Sequence, residues 1–134
     1  MNPRQAVFVD TSAFFAGLDR ADRHHGAAVR TFEELAREGR AIYTSNVIVA
    51  ETHALALRRL GRRAALRWLD QPEIYLIFEE PDDHPSVVTL LERYSDKNFS
   101  YADAVSFVLM ERLGIGVAFA FDDDFRQYGL DVIP

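Results

Sequence analysis

The sequence predicts an α/β fold, a three-layer α/β/α sandwich around a central, mostly parallel sheet. Three observations carry this. Short apolar or β-branched runs recur along the chain, residues suited to capping a helix follow several of them, and helical stretches of about ten residues or more separate successive runs. Parallel strands need crossovers of that length, and such crossovers cover both faces of a sheet. With 134 residues, 49% of them apolar, the chain is expected to form one domain over 1–134; no linker, low-complexity tract or internal repeat interrupts it.

Taken in order, Ala6 to Val9 reads as a strand ending at Asp10-Thr11-Ser12, a helix cap. Helical periodicity runs through Phe14, Phe15 and Leu18, then from about Arg23 through Val29, Phe32 and Leu35 to a stop at Gly39. Ala41 to Thr44 is a brief strand, Ser45 or Asn46 caps a helix over Val47 to Leu60, and Gly61 ends it. Arg62 to Leu69 forms a short helix and Ile74 to Phe78, unbroken in its apolar character, reads as the clearest buried strand. Pro85 sits in the first turn of the next helix, where proline is tolerated. Ser100 caps a helix from Tyr101 to Leu113, Gly116 to Phe121 is a strand, Asp123 to Tyr128 a short helix and Leu130 to Ile133 a last strand.

Composition narrows the function. No apolar run approaches the ~20 residues that cross a bilayer, and no secretory signal is visible, so no membrane contact and a cytoplasmic protein are expected. The absence of cysteine removes disulfides, thiolate metal sites and thiol nucleophiles. A net charge of −6 argues against binding nucleic acid by bulk attraction, yet Arg58, Arg59, Arg62, Arg63 and Arg67 crowd together at helical spacing. They form either a solvated helix face or a strip that guides phosphates. Lys97, just before the helix at Tyr101, is a further candidate phosphate contact.

In parallel sheets, ligands gather at the carboxyl ends of the strands and the amino ends of the following helices. Four carboxylates are expected there. Asp10 and Asp122 follow strands, while Glu51 and Asp103 fall in the first turns of helices. Asp10 and Asp122 have a plain reading as helix caps, and Asp103, three residues after Ser100, fits a capping box. Glu51 is harder to dismiss, because Val47, Ile48, Ala54 and Leu55 surround it on its helix and a carboxylate among apolar residues needs a partner. Converging carboxylates repel unless a cation neutralises them, and an all-oxygen set suits Mg²⁺ or Mn²⁺. Metal-assisted phosphodiester hydrolysis fits such a cluster. His24, His25, His53 and His84 lack zinc-site spacing and read as surface or capping residues, and Phe14 and Phe15 as core.

The stretches VFVDTSAFFA, SNVIVAETHALAL, FSYADAVSFVLMERLGI and VAFAFDDDF carry Asp10, Glu51, Asp103 and Asp122 in turn. In order and spacing over nearly the whole chain they resemble the PIN-domain nucleases, specifically the VapC-type toxins of toxin–antitoxin pairs. The resemblance implies a PIN-like fold and a Mg²⁺-dependent endoribonuclease with these four acids as metal ligands. It also implies Thr11 or Ser12 as support for the first acid, an RNA substrate, a cognate antitoxin and a homodimer. Two departures matter. Ala120 stands where the family has Thr or Ser two residues before the fourth acid, and the run Asp122-Asp123-Asp124 lets Asp124 assist or replace Asp122. Two rivals remain: an acid-pocket phosphotransfer domain, such as a receiver or haloacid-dehalogenase-like phosphatase, and an inactive PIN-like module that binds RNA or protein. Ser12 stands where the dehalogenase pattern wants a second aspartate, and none of the four acids is lost.

Overall fold

Three helix starts, two of them directly after strands, are fixed by a side chain that accepts a helix amide left without a partner. The Asp10 carboxylate accepts the Ser12 N–H at 3.1 Å, and the Ser45 hydroxyl accepts that of Ile48 at 3.0 Å. Ser100 and Asp103 close a capping box, with Asp103 N–H donating to Ser100 Oγ at 3.1 Å and Ser100 N–H to Asp103 Oδ2 at 2.9 Å. The structure, a computed structural model, describes residues 6–71 and 73–134. Its elements are β1 (Val7–Val9), α1 (Thr11–Leu18), α2 (His25–Arg37), β2 (Ile42–Ser45), α3 (Asn46–Leu60), α4 (Arg62–Leu69), β3 (Ile74–Ile77), α5 (Asp83–Arg93), α6 (Tyr101–Leu113), β4 (Val117–Phe119), α7 (Asp124–Tyr128) and β5 (Asp131–Ile133).

The strands form one sheet in the order β3-β2-β1-β4-β5, and every described pairing is parallel. The chain steps outward from β1 to β3, jumps back over β1 to β4, and then continues outward to β5. Right-handed crossovers in opposite directions place α1–α4 on one face and α5–α7 on the other. Between β1 and β4 the direction reverses, and at such a switch point the two loops leave in opposite directions and open a crevice at the carboxyl edge. The core fills both layers: Val7, Phe8 and Val9 of β1 are fully buried, as are Leu35, Phe107, Met110, Phe119 and Phe125. Trp68 stands edge-on to Phe14 at 5.2 Å and anchors α4 on α1. Phe14 and Phe15 are both buried. Among the described residues no helix is long and apolar enough to cross a membrane.

Two expectations fail. The apolar run at Ile74 is an edge strand: Tyr75 is 58% and Phe78 60% exposed. An apolar run reports strand propensity and says nothing of position in the sheet, which the crossover order decides. The arginine group is not one helical face either, because Gly61, at φ +94°, breaks the backbone between α3 and α4; of the spaced pairs only Arg63 and Arg67 share a helix.

Candidate active site

The switch point collects carboxylates from four places in the chain. Asp10 leaves β1 3% exposed, its amide donating to the Phe119 carbonyl of β4 at 3.0 Å. Its Oδ2 takes both the Ser12 N–H and, at 2.7 Å, the Ser12 hydroxyl. That hydroxyl in turn accepts the Phe121 N–H at 3.0 Å. One serine therefore ties the end of β1 to the loop after β4. Thr11 does something else: its Oγ1 accepts the Thr52 hydroxyl at 3.0 Å, pinning α1 to α3 one residue past Glu51. Asp103 is 9% exposed, and its capping bonds use Oδ2 alone. Capping and a place in the cluster are thus compatible for Asp10 and Asp103, since each bonds its helix end through a single oxygen.

Asp122 is not the N-cap residue of α7, which is Asp123. β4 ends at Phe119, so Asp122 lies three residues beyond the strand instead of first after it, and α7 begins only at Asp124. The ladder stops early because Ala120 N–H still reaches the Ile133 carbonyl while Phe121 N–H turns to Ser12. Ala120 carries no hydroxyl for this loop; the Ser12 hydroxyl, in the first turn of α1, holds it instead. Glu51 is exposed, contrary to the reading of an apolar surround. The buried stripe of α3 is Ile48, Thr52 and Ala56, about 100° round the helix from Glu51, which faces the rim.

The electrostatics join these groups. Burial, then the Asp122 charge, pushes Asp10 up to about 7 against the opposing Ser12 hydrogen bonds, with Asp103 adding to the rise. The Asp122 carboxyl is raised by its partial withdrawal from water and then by Asp103, with Glu51 a smaller contribution; Asp10 and Asp124 N–H bond to it and oppose the shift. Asp124 rises to about 6 through burial and the charges of Asp103 and Asp122, and its carboxyl hydrogen-bonds Asp103. Asp10, Asp122 and Asp124 are therefore raised within one field of negative charge. Among the described residues no three acidic or histidine side chains form a ready cage for an ion. The donor set, oxygen throughout, is the chemistry of a hard divalent cation.

The remaining candidates lie outside this cluster. Arg58, Arg59, Arg62 and Arg63 are exposed at the junction of α3 and α4, and Arg59 lies over the Phe15 ring at 6.0 Å. Lys97 pairs with Asp96 at 3.4 Å in the loop before α6. His24 stacks on Phe121 at 4.4 Å, and His25 Nδ1 meets the Ala16 carbonyl at 2.8 Å. Sequence reasoning missed a second polar group on this edge: Tyr101 donates to Glu79 and meets His84 Nδ1 at 3.1 Å, and Asn46 Oδ1 accepts the Glu79 N–H at 2.9 Å. Its members are far apart in sequence and no motif links them.

Comparison with known proteins identifies the family. The model of the PIN domain matches residues 7–130. The chain is 36% identical over 127 residues to the 23S rRNA-specific endonuclease VapC20 of Mycobacterium tuberculosis, covering 92% of this chain and 94% of that one. The crystal structure of that VapC20, described as a sarcin-ricin loop cleaving toxin, superposes with a TM-score of 0.88 at 33% identity, over 96% of this chain and 99% of that one. FitAcB from Neisseria gonorrhoeae, at 17% identity and a TM-score of 0.67 over 96% of each chain, shares the fold. The crossover order, the acids at the switch point and these likenesses agree: the chain belongs to the PIN-domain family.

Proposed function

We propose that this chain is a divalent-metal-dependent endoribonuclease, the toxin of a VapBC-type pair, with its active site at the β1/β4 switch point. The observation that carries the reading is the convergence of buried Asp10 and Asp103 with Asp122 at the switch point, where burial and the neighbouring charges push the Asp10 carboxyl up. A protein keeps such a charge-repelling cluster where a cation is to be bound. Asp10, Glu51, Asp103 and Asp122 are the proposed ligands of Mg²⁺ or Mn²⁺, with Asp124 assisting through Asp103. A bound divalent cation supplies Lewis acidity for in-line attack of water on the scissile phosphorus.

The protein's own residues do the rest. Ser12 fixes the Asp10 carboxylate and, one residue before Asp122, the Phe121 loop in one geometry. The Thr11–Thr52 hydrogen bond holds α1 against α3 and serves the scaffold of the site. Asp103 is oriented by its own capping box. The ribosomal RNA named for the similar VapC20 is the first substrate to test, and an antitoxin partner and pairing as a homodimer come with the family reading.

The experiment is cleavage of ribosomal RNA by purified protein with Mg²⁺ or EDTA, comparing wild type with Asp10→Asn and Asp103→Asn. Cutting that needs Mg²⁺ and disappears in both variants supports the reading. Cutting that persists in both overturns the site; Mg²⁺ binding unaffected by either substitution does the same.

A further inference from the structure

Between Thr52 and Leu69 the chain carries five arginines and no acid, in a protein whose net charge is −6. The structure places Arg58 and Arg59 at the end of α3 and Arg62, Arg63 and Arg67 on α4, all exposed. Among the described residues none of the five forms an ion pair. Solubility alone is a poor explanation. Arg62 and Arg63 occupy the first turn of α4, the positive end of its dipole, and no acidic residue stands there to offset them. Like charges packed this way cost helix stability, and a broken local rule without compensation marks a functional surface.

We infer that the α3–α4 hairpin is an RNA-binding surface that grips phosphates of the substrate away from the bond being cut, an inference that rests on the nuclease reading above. An edge bearing Asp10, Glu51, Asp103, Asp122 and Asp124 repels a polyanion beyond what a bound cation neutralises, so affinity must come from elsewhere on the molecule. Helix α3 supplies it: Glu51 near its start belongs to the acid cluster, and Arg58 lies seven residues further on, roughly 10 Å along the axis. A phosphate run crossing the acids at one end of α3 meets arginines at the other. Arginine forks suit this work, because they bind phosphate oxygens bidentately.

The test measures binding of a labelled stem-loop RNA in EDTA as a function of KCl, and cleavage of that RNA and of a tetranucleotide in Mg²⁺. Wild type is compared with Arg62→Gln/Arg63→Gln and Arg62→Lys/Arg63→Lys. The Gln pair is expected to make the slope of log affinity against log salt shallower by about 1.4, for two lost phosphate contacts. Between about 50 and about 200 mM salt its deficit against wild type then shrinks by about sevenfold. Its KM for the stem-loop rises with kcat unchanged, cutting of the tetranucleotide is unaffected, and the Lys pair restores the salt slope. A Gln pair with the wild-type slope and KM overturns the inference and leaves the hairpin to a protein partner. If the slope responds while wild type cuts no RNA, the surface stands and the nuclease reading falls; if wild type neither binds nor cuts, both fall.

Discussion

The acid edge and the α3–α4 hairpin hold their charges in opposite ways. Asp10 and Asp103 are buried, each carboxylate fixed by hydrogen bonds from its own helix end. The hairpin arginines are exposed and without ion pairs among the described residues, apart from Arg59 resting on Phe15. The contrast separates two tasks. Positioning reacting atoms needs side chains locked by a rigid scaffold, whereas raising the local concentration of a polyanion needs only charge on a surface, free to follow the ligand.

The sharpest way to break the comparison is at the rigid end. Asp103→Asn removes a buried acid while keeping its shape, and cleavage is expected to fall by more than ~10²-fold, the loss that a supporting residue alone can cause. Steady-state cleavage of RNA in Mg²⁺ measures it. Ser12→Ala is expected to cost roughly 10- to 100-fold in activity, because it frees both Asp10 and the Phe121 N–H. Thr11→Ala loses only the Thr52 bond, so thermal unfolding should show about 1 kcal/mol of destabilisation with cleavage close to wild type. If the two alanine variants lose activity equally, positioning by Ser12 is not what holds the site. Asp124→Asn should cost less than Asp122→Asn, since Asp124 reaches the cluster through Asp103 whereas Asp122 bonds Asp10 directly.

The smallest effect concerns stability without metal. Asp10 titrates near 7 in the folded chain and near 3.8 when unfolded, so between those values the native state holds more protons. Unfolding free energy therefore falls as pH rises through that window, and the loss is complete above it. In EDTA, Tm should drop from pH 5 to pH 7.5, Asp10→Asn should flatten that drop, and added Mg²⁺ should raise Tm more at pH 7.5 than at pH 5.

Much of the fold was legible because local chemistry and topology agree. Asp10, Ser45 and Ser100 announce helix starts by their capping chemistry, and the helical stretches between strands require parallel crossovers. What was not legible depends on direction in space. Glu51 has apolar neighbours three and four residues away on both sides, yet the buried stripe passes beside it through Thr52. Ile74 to Phe78 looks like a core strand, but the jump from β3 back over β1 leaves it at the edge. The choice between Thr11 and Ser12 depended on which hydroxyl faces β4, a matter of one residue's rotation on α1.

The central claim is that the switch-point carboxylates form a cation site. Soaking crystals in Mn²⁺ and recording anomalous diffraction tests it most directly. A peak contacted by the Asp10 and Asp103 carboxylates, and lost in Asp10→Asn, is the expected result. Active protein whose Mn²⁺ sits elsewhere, with no peak at the β1/β4 edge, would contradict it.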